Sequence, residues 1–186
     1  MSDTEQLSQE AQVELLRVAR RAISEHLGRG KVPHHEPEAT GLEEALAVFV
    51  TLEVQGKVRG CMGGPDPNGA LHENVAHMAI AAATDDPHFS SLELSDLRYT
   101  EVELSVLSPH VAMEKEDILV GTHGLYIAQG PKRAILLPQA ADPRWSRARL
   151  LEELLTKAGL KKRALRDPKT SLRAFTAQVF RDSDFL

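Results

Sequence analysis

Aromatic residues are scarce in this 186-residue chain: one tryptophan, two tyrosines and five phenylalanines make up 4% of it. The hydrophobic share is 42%, so there is enough apolar material for a core, and that core must be mainly aliphatic. Cysteine occurs once, at Cys61, which excludes an internal disulfide and implies no oxidising compartment. No apolar run is long enough to span a bilayer, and the opening Met1-Ser2-Asp3-Thr4-Glu5-Gln6 does not read as a secretory signal. Positive charge is in deficit: the net charge of -5 argues against a nucleic-acid binder held by phosphate contacts. HExxH, CxxC, GxxxxGK and a strand-linked GxGxxG are all missing, so the sequence implies neither a metal nor a nucleotide cofactor. His34 and His35 are adjacent, and His72 and His77 are five apart, both poor spacings for ligating a metal. The expectation is a soluble cytoplasmic protein forming a single domain over 1–186: an N-terminal helix and loop (1–41), a core (42–180) and a short tail (181–186).

Helical spacing of Leu16, Ala19, Ile23 and Leu27 predicts a helix over about 8–27, with Ser8 as its N-cap and Gly28 as its C-terminal cap. Residues 48–54 read as a strand, and Gln55-Gly56-Lys57 as a tight turn from which a second strand returns. A helix is predicted over about 70–83, on an apolar stripe of Leu71, Val75, Met78 and Ala82. Its many alanines suggest close packing. From 99 to 107 the pattern alternates: Val102, Leu104 and Val106 face one way, and Glu101, Glu103 and Ser105 the other. A second hairpin turns at Gln129-Gly130-Pro131-Lys132, and a helix capped by Ser146 and Gly159 follows to Ala158. Residues 172–180 read as one last strand. Hairpins with interspersed helices give an α+β class, with a largely antiparallel sheet flanked by helices.

The segment that points to chemistry is Arg59-Gly60-Cys61-Met62-Gly63, followed by Gly64. A thiol becomes a nucleophile in a positive, partly exposed setting, and Arg59 can help supply one. The glycines allow close backbone approach to a ligand, or conformations that other residues resist. The alternative is that Cys61 simply packs as a small apolar residue. Arg59 can clamp an anion, or pair with Glu103. Glu103 is a general acid or base if its strand face lines a site, and a solvated residue if it does not, with Glu101 on the same face for comparison. His123, in Gly121-Thr122-His123-Gly124, is either a base for Cys61 or a surface turn residue. Gln139 either donates to a developing oxyanion or caps the loop before Trp145. Glu73 and His77, four apart, suit an ordinary helix pair. The basic run Lys161-Lys162-Arg163 with Arg166 reads as a solvated loop.

In order and spacing, several segments together resemble the AMMECR domain family, also called AmmeMemoRadiSam system protein A. They are Arg59-Gly60-Cys61-Met62-Gly63, Glu73-Asn74 with Ala76, Asp86-Pro87-His88-Phe89, Glu103-Leu104-Ser105-Val106-Leu107-Ser108-Pro109, His123-Gly124-Leu125 and Leu136-Leu137-Pro138-Gln139. Met62 stands where the family has isoleucine, His88 where arginine is usual, and Val58 where leucine is common. The resemblance implies an α+β fold in two unequal subdomains, with the Cys61 segment lining a cleft between them. It also implies Memo-like and radical-SAM partners. Two functions are compatible with it. One is a cysteine-centred enzyme acting on a small anionic or amide substrate through Cys61, Arg59, Glu103, His123 and Gln139. The other is a non-catalytic peptide-, ligand- or protein-binding module in which Cys61 is structural.

Overall fold

A computed structural model describes residues 6–185. The class is α+β, as expected, but the described residues form two four-stranded sheets where one was expected. Two compact units result. Unit 1 runs to Leu107 and resumes at Gln178; unit 2 covers Ser108–Ala177.

Unit 1 begins with α1 (Gln9–Arg29). The Ser8 hydroxyl accepts the Ala11 N–H at 3.2 Å, as an N-cap should. The helix ends two residues later than the expected Gly28. Gly30 takes the left-handed conformation (φ 65°) and closes the last turn, while Gly28 stays helical at a propensity cost of about 1 kcal/mol. Strands β1 (Val48–Val54) and β2 (Lys57–Gly63) form a hairpin. Its two turn residues, Gln55 and Gly56, have φ of 53° and 73°, the paired positive angles whose twist suits a two-residue turn. After α2 (Leu71–Thr84), strand β3 (Thr100–Leu107) pairs antiparallel with the other edge of β1. Leu15, Ile23, Val50, Leu52, Val75, Ala79 and Leu104 share one buried cluster, so both helices cover one face of the sheet.

Unit 2 holds β4 (Val111–Ala112), β5 (Gly124–Gln129), β6 (Lys132–Leu136), α3 (Arg147–Ala158) and β7 (Ser171–Phe175), with strand order β4-β7-β5-β6. Ser146 and Gly159 (φ 66°) cap α3 as expected. Leu150 and Leu154 pack in one cluster with Leu125 and Ile127 of the inner strand β5.

The single last strand expected over 172–180 is two. β7 belongs to the second sheet, and β8 (Ala177–Arg181) completes the first in the order β2-β1-β3-β8. Thr176 between them leaves both ladders. Its N–H donates to Ser108 Oγ and its carbonyl accepts from the Ser108 N–H, both at 2.9 Å. The alternation also breaks there, since Ala174 and Phe175 are both buried while Val179 is exposed.

Candidate functional site around Cys61

Cys61 lies on the edge strand β2 and is exposed, not packed into the core. Strand register places it opposite Thr51 of β1, and Thr51 opposite Glu103 of β3. Val50, Leu52, Val102 and Leu104 point into the core beneath α1 and α2, so alternation turns Thr51 and Glu103 to the opposite face. Thr51 Oγ1 donates to Cys61 Sγ at 3.3 Å. At the other end of the row, Glu103 forms an ion pair with Arg181 of β8, whose guanidinium also lies 4.0 Å from Glu101. The row from Cys61 through Thr51 to Glu103 and Arg181 thus crosses all four strands.

The expected Arg59–Glu103 pair does not form, and the cause is a β-bulge. Leu52 pairs with Gly60 and Glu53 with Val58, which leaves Arg59 as the extra residue on β2. Bulges re-aim side chains. Here Arg59 reaches Ser90 Oγ at 3.2 Å, and Arg181 takes Glu103 instead.

Sequence reasoning missed Asp86 as a partner of the cysteine. This side chain is 5% exposed and follows the C-terminus of α2. Its Oδ2 accepts the Cys61 backbone N–H at 2.9 Å. Its Oδ1 accepts the His88 N–H at 2.9 Å and lies 2.9 Å from His88 Nδ1. Burial is the largest influence and disfavours the charged carboxylate. The backbone donors of His88 and Cys61, then the His88 imidazole, outweigh it and hold the carboxyl below the usual aspartate range. An ionised Asp86 requires His88 Nδ1 to be the donor, so in the neutral ring Nε2 carries the lone pair. The His88 side chain is 81% exposed, which leaves that nitrogen accessible.

The glycines of the segment serve the fold. A Cβ on Gly60 would overlap the Ala82 carbonyl oxygen of α2, and one on Gly63 would overlap the Phe49 ring and the Val48 carbonyl. Close packing against the alanine-rich helix therefore accounts for Gly60, rather than ligand approach or an unusual backbone conformation.

The other two predicted residues belong to unit 2. His123 is not a surface residue: it is buried, and its Nδ1 accepts the Leu119 N–H at 3.1 Å. A backbone amide can only donate, so Nδ1 is unprotonated and already engaged. The neutral ring then carries its proton on Nε2, a poor arrangement for a base. Gln139 is exposed, in the short 3₁₀ turn Pro138–Ala140 after β6. Glu73 and His77 form no ion pair. It is His72 that lies 3.7 Å from Glu43, and Asn74 Nδ2 donates to the Leu46 carbonyl at 3.1 Å. Among the described residues no group of three or more His, Cys, Asp or Glu side chains is arranged to hold a metal. Among them, too, no helix is long and apolar enough to cross a membrane.

The sequence model of the AMMECR1 family matches residues 16–180. A protein from Methanothermobacter thermautotrophicus is 37% identical over 179 residues, spanning 90% of this chain and 92% of that protein. Protein MK0488 from Methanopyrus kandleri is 34% identical over 181 residues, spanning 91% of this chain and 87% of its own length. The crystal structure of an uncharacterized protein, PH0010, from Pyrococcus horikoshii matches with a TM-score of 0.82 at 36% identity, covering 90% of this chain and 89% of that one.

Proposed function

The chain belongs to the AMMECR1 family, and from that premise we propose that it is a cysteine-centred enzyme acting on a small anionic or amide substrate at the outer face of the first sheet. The observation that carries this reading is the exposed Cys61 thiol, hydrogen-bonded by Thr51, whose own backbone N–H rests on the carboxylate that orients His88. The chemistry is acyl transfer. The Cys61 sulfur attacks the substrate carbonyl carbon, the thiol proton passes through an imidazole nitrogen to the departing amine, and water then cleaves the thioester. His88 Nε2 takes the base role given to His123 in the sequence reading. Arg59, on its bulge, supplies positive charge to an anionic substrate. Glu103 holds the row through Arg181 rather than exchanging protons. By family resemblance, the partners of this enzyme are a Memo-like protein and a radical-SAM protein.

A second reading, a non-catalytic binding module, is favoured by the closed Glu103–Arg181 pair and by the packing role of Gly60 and Gly63. The two separate on incubation with a panel of activated acyl esters and amides. The enzyme reading expects an acyl mass increment on the peptide containing Cys61, its disappearance with time, and no increment in Cys61→Ser. An unmodified peptide across the whole panel would overturn it.

A further inference from the structure

The basic run that reads as a solvated loop in the sequence lines a concavity of about 390 Å³ in unit 2. That volume lies within the range of small-molecule sites, roughly 300–1,000 Å³. Its lining includes Lys132, Lys161, Arg163, Arg166, Gln129 and Asp167. Arg163 and Arg166 sit three apart on the 3₁₀ turn Lys162–Arg166, whose three-residue period puts them on one side. Lys162 does not line the concavity, and it is the cation of the run with a counter-ion, Glu152 at 3.1 Å. Lys161, Arg163 and Arg166 have no ion pair among the described residues.

Asp167 lies in the same lining and offsets one of its four cations, Lys132, Lys161, Arg163 and Arg166, without forming an ion pair with any of them. Its Oδ2 accepts from Gln129 Nε2 and its Oδ1 from the Lys169 N–H, both at 2.9 Å, so the carboxylate also holds the loop. The Gly159 carbonyl, at the negative end of α3, is capped by Lys132 Nζ at 2.7 Å. What remains is concentrated positive charge around a small hollow, on a protein whose net charge is -5. A guanidinium fork fits phosphate oxygens two at a time. A long polyanion would meet repulsion from the rest of the surface, whereas a short ligand senses charge within about one Debye length, roughly 8 Å at physiological salt.

We propose that this concavity binds a small soluble molecule carrying two or more linked phosphate groups. The assignment is independent of the reading of Cys61. It is tested by isothermal titration of the full chain with pyrophosphate and with ATP, alongside sedimentation with vesicles containing phosphatidylinositol bisphosphate. Saturable binding of either phosphate compound is expected. It should weaken by about tenfold or more per guanidinium in Arg163→Ala/Arg166→Ala. It should persist in Arg17→Ala/Arg21→Ala, a charge-matched pair on α1, and unchanged melting curves would show that both variants fold. No heat with either compound would overturn the assignment. An equal loss in the α1 pair, or vesicle binding that pyrophosphate does not compete away, would also overturn it.

Discussion

In unit 1, polar residues of neighbouring strands meet side by side on the face away from the helices: Cys61 with Thr51, and Glu103 with Arg181. In unit 2, side chains outside the α3 core meet as rings. His110 stacks on Phe175 at 4.7 Å and lies 5.7 Å from Tyr126. Glycine serves packing in both, Gly60 under α2 and Gly124 against the Phe175 ring. The difference lies in what happens to the candidate groups. His123 is buried with its Nδ1 occupied, whereas Cys61 has its backbone fixed by Asp86 and its sulfur at the surface. A group useful for chemistry has to be held through atoms it does not react with, and unit 1 meets that condition.

The sharpest way to break the comparison is at the packing beneath the cysteine. Gly60→Ala should lose about 3 kcal/mol, because the new methyl overlaps a helix carbonyl, while Gly64→Ala, with its nearest atom 3.9 Å away, should stay within about 0.5 kcal/mol. Urea unfolding midpoints check both. Next is Asp86→Ala, which strips a buried acceptor from three donors and should cost about 2 kcal/mol. Asp86 also sets a pH dependence. Its folded carboxyl titrates below the unfolded value of about 3.9, so its contribution to stability is complete above that pH and is lost as pH falls through the lower folded value. Asp86→Asn should flatten that part of the acid limb in melting curves.

Smaller still, His123→Ala should cost about 1 kcal/mol by leaving the Leu119 N–H without its acceptor, and should leave Cys61 alkylation unchanged. A slowed alkylation would show that His123 serves the thiol after all. Cys61→Ser, like Gly64→Ala, should stay within about 0.5 kcal/mol, since the side chain is exposed.

Much of the fold could be read in the sequence where local chemistry decides. The Gln55-Gly56 turn, the Ser8 cap and the Ser146 and Gly159 caps of α3 all follow from neighbouring residues. The site was legible only in part. Counted outward from the turn, an unbroken ladder would pair Thr51 with Gly60. The bulge at Arg59 moves the partner to Cys61, and no residue type signals that shift. Asp86 was visible within Asp86-Pro87-His88-Phe89, but its tie to an amide 25 residues earlier depends on how α2 lies under β2. The last strand was misread because the run of residue types continues through Thr176, and only the burial pattern, which the sequence does not show, breaks at the change of sheet.

The most direct test of the account is the rate at which iodoacetamide alkylates the native protein at neutral pH, compared with the same chain unfolded in urea and with His88→Ala. Alkylation follows the thiolate and its accessibility. An activated surface thiol predicts native labelling faster than unfolded labelling, and slower labelling when His88 is removed. Native protein that labels only on unfolding, or at a rate indifferent to His88, would contradict it.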